Sequence, residues 1–158
     1  MLNFTVGPVM SSEEVLKIGG KQTPYFRNDE FSQVMLENEQ LMKEFVYAED
    51  ESRVVFITGS GTAAMEATVM NVFNENDKVL IVNGGGFGQR FVDLCELHDI
   101  DYDEIKLEFG CDITEEILDS YSNKGYTGFL VNICETSSGV SFVRIRIQDF
   151  FGYIASKL

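Results

Sequence analysis

Gly59-Ser60-Gly61-Thr62 carries the most legible chemistry in this chain: two glycines and two hydroxyls, followed at once by Ala63, Ala64, Met65, Ala67, Val69 and Met70. Glycines let the backbone turn sharply and approach a ligand closely, and the residues after them suit a helix. A helix that starts here points its unpaired first-turn N–H groups, and the positive end of its dipole, back at the turn. An anion is the natural occupant, with Ser60 and Thr62 as added donors. Tight turns also use glycines for shape alone, so this motif by itself leaves both readings open. Two further glycine-containing stretches could join it: Gly84-Gly85-Gly86-Phe87-Gly88-Gln89-Arg90 and Cys134-Glu135-Thr136-Ser137-Ser138-Gly139.

The elements that must position these loops follow from the hydrophobic pattern. Val54 to Ile57 is a short apolar run that predicts a strand buried on both faces. Lys78 to Val82, ending at Asn83, predicts a second strand, followed by a helix with Phe91, Leu94 and Cys95 on one face. Tyr102 to Leu107 predicts a third strand. Asp112 and Glu115 have capping-box spacing for the next helix, and Phe129 to Ile133 predicts a fourth strand. Upstream, Ser11 and Glu14 have the same spacing for a short helix stopped by Gly19-Gly20. Asn28 is a suitable N-cap for a long helix whose Phe31, Val34, Met35, Leu41, Met42 and Phe45 form a packing face. Strands alternating with helices imply an α/β layered fold, three layers deep, with a mostly parallel sheet. Ligands in such sheets sit beyond the carboxyl ends of the strands, which is where three of the four predicted strands open into glycine-containing loops.

At 158 residues the chain is one domain by length, and 44% hydrophobic residues make it an ordinary globular sequence. Its formal charge of −14, from 26 acidic and 12 basic residues, argues against nucleic acid or an anionic membrane as partner. No apolar stretch approaches a membrane span, and Met1-Leu2-Asn3-Phe4 lacks the basic-then-apolar layout of a signal peptide, so the expected location is the cytoplasm. Cys95, Cys111 and Cys134 lie far apart without a paired Cys or His. They indicate neither a disulfide framework nor a metal site, and are expected to be buried or half-buried thiols. His98, away from every glycine loop, reads as structural; Arg90 either anchors its loop or pairs with a carboxylate.

Three phosphate ligands can be compared. A dinucleotide fits Gly59-Ser60-Gly61-Thr62-Ala63-Ala64 approximately, but its fingerprint also wants an acid at the end of the next strand, where Asn83 stands. A P-loop would need a lysine after the glycines. Pyridoxal phosphate fits better. The order Gly59-Ser60-Gly61-Thr62-Ala63-Ala64-Met65-Glu66, then Val79-Leu80-Ile81-Val82-Asn83-Gly84 with Phe87-Gly88-Gln89-Arg90, then Glu135-Thr136-Ser137-Ser138-Gly139-Val140, resembles the class V aminotransferases. Within these it is most similar to the alanine–glyoxylate, serine–pyruvate and 2-aminoethylphosphonate–pyruvate transaminases. The resemblance covers Phe4 to Val140 and includes Gly7-Pro8.

That resemblance implies the N-terminal part of the large, cofactor-binding domain of a fold type I enzyme over residues 1–140, with a divergent tail over 141–158. It implies that Ser60, Gly61 and Thr62 hold the phosphate of pyridoxal phosphate, that Phe87 stacks on the pyridine ring, that Thr136 bonds a ring substituent, and that Gly7 lies near the substrate. The activity it implies is transfer of an amino group from an amino acid or aminophosphonate to a 2-oxo acid, in a homodimer. The family's Schiff-base lysine, the aspartate that keeps the pyridine nitrogen protonated, and the arginine that holds the substrate carboxylate lie beyond the Glu-Thr-Ser-Ser-Gly motif, and nothing after Val140 matches them. Lys157 is a poor substitute, so no catalytic residue is assigned and the chain alone is expected not to transaminate. The family also places a later antiparallel strand beside the first one. Here either Ser141 to Ile147, which alternates like an exposed strand, or another copy of the chain is expected to fill that gap, and Gln148 to Leu158 fits a short helix. A non-catalytic binding or oligomerisation module is the alternative, and a nucleotide-binding domain comes after it.

Overall fold

The computed structural model describes Asn3, Gly7 and residues 9–142, which form two units divided between Ile57 and Thr58. In the first unit, helix α1 (Glu13–Gly19) is capped by Ser12, whose hydroxyl accepts the Val15 amide. The cap therefore falls one residue after the expected Ser11. Helix α2 (Asp29–Val46) starts at Asn28 as expected, with Asn28 Oδ1 accepting the Phe31 amide at 2.9 Å. None of its residues is buried: Phe31 and Met35 are half-covered, whereas Val34, Leu41, Met42 and Phe45 are exposed. The expected packing face is present as a stripe, but among the described residues it is covered only in part, at Phe31 and Met35.

Val54 to Ile57 is not a strand. Among the described residues the run joins no ladder, and Val55 is 79% exposed. Apolar, β-branched composition gives a segment the capacity for a strand, but only a neighbour supplies the hydrogen bonds that make one. The Val54 amide turns instead to the Glu39 carboxylate. Of the segments expected to fill the gap, Ser141 is paired with Cys134, and residues 143–158, including the predicted short helix, lie outside the described residues.

The second unit carries the sheet. Helix α3 (Gly61–Val72) leads to strand β1 (Lys78–Asn83), helix α4 (Gly86–Leu97), strand β2 (Asp101–Lys106), helix α5 (Glu115–Ser120) and strand β3 (Gly128–Leu130). A two-stranded hairpin follows, β4 (Cys134–Glu135) and β5 (Val140–Ser141). β1 is central and parallel to both neighbours, in the order β2-β1-β3. The α/β fold with a parallel sheet is thus observed, with strand ends within a few residues of those expected. Thr114, not Asp112, caps α5 by accepting the Ile117 amide; Asp112 bonds the Ile113 amide beside it.

β1 reads Lys-Val-Leu-Ile-Val-Asn because both its faces are covered. Val79 and Ile81 pack in a core with Val69 of α3 and Phe91, Leu94 and Cys95 of α4. Leu80 and Val82 point the other way, into a core with Ile105, Ile113, Leu118, Tyr126 and Phe142. Alternate residues of one strand thus anchor the helices of both layers. Gly88 sets how closely α4 approaches: a Cβ there would lie 2.7 Å from Asn83 Cα and 2.8 Å from the Val82 carbonyl oxygen.

Candidate functional site

From β1 the chain crosses to β2 on one side, then returns past β1 to β3 on the other. The carboxyl ends of β1 and β3 therefore flank the topological switch point, where such sheets bind ligands. The loop that opens α4 and the β4–β5 turn both start from these strand ends.

Ser60 caps α3, its Oγ accepting the Ala63 amide at 3.3 Å from an extended backbone at φ −79°. The amides of Gly61 and Thr62 have no partner among the described residues. They are the orphan donors that make a helix start an anion site. Thr62 Oγ1 accepts a hydrogen bond from Arg90 Nη1, and the Arg90 guanidinium carbon lies 5.6 Å from the centre of the Phe87 ring. Arg90 thus anchors the loop through a hydroxyl and an aromatic face, the first of its two expected roles. It places a positive charge at the start of α3, where an anion gains from it.

Phe87 stands in the first turn of α4, 37% exposed. Its backbone is held by a clamp that the motifs did not disclose. Glu135, only 1% exposed, accepts the Gly88 amide at 2.8 Å and the Phe87 amide at 3.1 and 3.3 Å. Its other bonds come from Ser137, whose hydroxyl donates at 2.6 Å and whose amide donates at 3.2 Å; the same hydroxyl accepts the Gly86 amide at 2.8 Å. Burial pushes the Glu135 carboxyl upward, but the Ser137 hydroxyl and the Gly88, Phe87 and Ser137 amides outweigh it and hold the group below the usual carboxylate range. Thr136 lies between these two residues, half-buried, and its hydroxyl has no partner among the described residues. Asn132, two residues beyond β3, has a buried Nδ2 that is likewise unpartnered.

The residues expected to grip a cofactor are thus linked in part. Thr62 and Phe87 are joined through Arg90, and the Phe87 backbone is joined to the turn that carries Thr136. Gly7 belongs to the first unit and is exposed. Asn83 is buried and spent on structure: its Nδ2 donates to Gln89 at 2.9 Å and to Glu104 at 2.5 Å, and its Oδ1 accepts the Gly85 amide. Asn83 thus has no amide group free for a ribose, and the Glu104 carboxylate beside it is engaged by that same amide, which lends a dinucleotide no support.

The remaining candidates are structural. His98 Nε2 lies 3.2 Å from Glu66 Oε1, between α3 and α4. Of the three thiols only Cys95 is buried, and burial pushes it up to about 11. Cys111 and Cys134 are exposed, contrary to expectation, because each lies on a loop or an outer edge strand. Among the described residues no helix is long and apolar enough to cross a membrane.

The chain is similar to proteins named as aminotransferases. It is 31% identical over 142 residues to an uncharacterised aminotransferase of Helicobacter pylori, covering 89% of this chain and 37% of that protein. It is 30% identical over 144 residues to a 2-aminoethylphosphonate–pyruvate transaminase of Phocaeicola vulgatus, covering 88% of this chain and 39% of that one. An alanine–glyoxylate aminotransferase of a Nostoc species superposes with a TM-score of 0.73 at 28% identity, over 85% of this chain and 36% of that structure. No protein-family model matches. The chain therefore corresponds to the N-terminal portion of the aminotransferase fold, spanning less than two fifths of the length of these curated relatives.

Proposed function

We propose that this chain is the N-terminal, cofactor-binding part of a pyridoxal phosphate-dependent class V aminotransferase, with residues 1–140 from the large domain and 141–158 a divergent tail. The observation that carries this reading is the pair of unpartnered amides at Gly61 and Thr62, beside an Arg90 guanidinium that also lies against Phe87. A phosphate satisfies those amides, and the flat face of Phe87 is where an aromatic ring would stack. The unpartnered Thr136 hydroxyl supplies a bond to a ring substituent.

In this reading Ser60, Gly61 and Thr62 hold the phosphate and Phe87 orients the ring. The cofactor, when bound, supplies the electron sink that amino-group transfer requires. This chain's residues supply binding and orientation only. No lysine here is matched to the one that would capture the cofactor covalently, so no catalytic residue is assigned in this chain. The reaction this reading assigns to the protein is amino-group transfer from an amino acid or aminophosphonate to a 2-oxo acid. The exposed apolar stripe of α2 and the unpaired Val54–Ile57 run support a homo-oligomer. The cytoplasm is the proposed location.

The test is a titration of the 158-residue chain with pyridoxal phosphate, followed by difference absorbance, with a borohydride arm. Saturable binding that inorganic phosphate competes away, with no specific lysine adduct, is expected. Absence of binding contradicts the reading, and a stoichiometric adduct on one lysine contradicts the view that these residues only bind and orient the cofactor.

A further inference from the structure

The first turn of α4 has an unusual source for its cap. Gly85, at the N-cap, has no side chain to offer, so the amides of Gly86, Phe87 and Gly88 would be orphans. They are met from 48 residues away in the case of Phe87, by Glu135, and by Ser137 for Gly86. The glycine is required by this arrangement: a Cβ at Gly85 would fall 2.8 Å from Glu135 Cγ and 2.9 Å from its Cδ. Bonds to the amides of both Phe87 and Gly88 fix the peptide planes on either side of the Phe87 Cα, and so the direction in which its ring leaves the backbone.

The carboxylate also settles which helix start can take an external anion. A buried negative charge already occupies the positive end of α4, whereas the start of α3 presents free amides and Arg90. A phosphate arriving at the crevice is repelled from one N-terminus and received by the other.

We propose that Glu135 is a positioning residue for the cofactor: by clamping the Phe87–Gly88 backbone it aims the Phe87 ring, and by filling the start of α4 it directs the phosphate to α3. This inference rests on the reading of Phe87 as the ring-stacking residue. Glu135, buried and bonded to the Phe87 and Gly88 amides, acts through the loop it holds.

The test compares Glu135→Gln, Phe87→Leu and the double variant in the full 158-residue chain, titrated with pyridoxal phosphate and separately with inorganic phosphate. Glu135→Gln keeps the size but turns an amide NH2 toward amide donors. It should weaken pyridoxal phosphate binding by about tenfold, leave inorganic phosphate affinity within about twofold, and raise the exchange rate of the Gly88 amide. Combined with Phe87→Leu it should weaken binding little further, because both act through one ring. Unchanged pyridoxal phosphate affinity in Glu135→Gln, additive losses in the double variant, or equal losses for both ligands would each overturn the proposal. Should Glu135→Gln fail to fold, Ser137→Ala, which removes the hydroxyl that donates to Glu135 and accepts the Gly86 amide, should cost about threefold; no loss there overturns it equally. If the unaltered chain binds no pyridoxal phosphate, the reading of Phe87 fails and this inference falls with it. Normal binding with an indifferent Glu135 sinks this inference alone.

Discussion

Arg90 donates to the Thr62 hydroxyl across the boundary between two helices, joining the second residue of α3 to the second turn of α4. The same guanidinium lies against Phe87, so one cation links the start of α3 to the Phe87 ring. Thr62→Ala removes that link and a hydroxyl donor from the phosphate. Pyridoxal phosphate affinity should fall about tenfold, as expected for losing a hydrogen bond to a charged group, while the urea midpoint moves little. Arg90→Lys should recover only part of an Arg90→Ala loss, since an ammonium cannot both fork to the hydroxyl and stack on the ring.

Gly88→Ala tests the packing beneath the site. Its new methyl would meet backbone atoms of Val82 and Asn83, which cannot rotate away, so α4 must lift off β1. Destabilisation of about 3 kcal/mol in urea unfolding is expected. Gly61→Ala, where a Cβ meets nothing within 4 Å, should change stability far less.

Stability should fall in acid through Glu135. Its folded-state carboxyl is held below its ordinary value, so the stabilisation is present above the unfolded value of about 4.3 and is lost as pH falls through the folded one. Urea unfolding measured from pH 6 down to pH 2 should show this loss, and Glu135→Gln should remove part of the slope.

Tyr126 provides a control away from the crevice. Its hydroxyl donates to Asp103 at 2.5 Å, beside Lys78 Nζ at 2.9 Å from the same oxygen. Burial first, then the bond to Asp103, pushes the phenol upward. Its contribution is therefore complete below the unfolded value of about 10 and disappears as pH rises through the folded one. Tyr126→Phe should destabilise the chain by about 1 kcal/mol, flatten the alkaline limb of the stability profile, and leave pyridoxal phosphate binding unchanged.

The parts legible in the sequence were those whose causes are local. Lys78 to Val82 announced a strand because alternate residues had to fill two cores, and Asn28 announced a helix because its side chain caps its own neighbour. The caps at Ser12 and Thr114 were displaced by one or two residues because adjacent hydroxyls and carboxylates offer nearly equivalent acceptors. Val54 to Ile57 misled because a strand is a property of a pair, and the partner is not supplied by the run itself. The Glu135 clamp was hidden for the same reason at greater distance. Gly85 gives α4 no side-chain cap, and nothing in the order of residues said that Glu135 would supply the acceptor.

The central claim is that Thr62, Phe87 and Thr136 serve one ligand. Backbone and side-chain NMR shifts of these three residues, followed during titration of the 158-residue chain with pyridoxal phosphate, test it most directly. The account predicts that all three move together along one saturation curve, and that inorganic phosphate shifts Thr62 while leaving Thr136 in place. Separate curves for the three residues, or movement of only one of them, would contradict it.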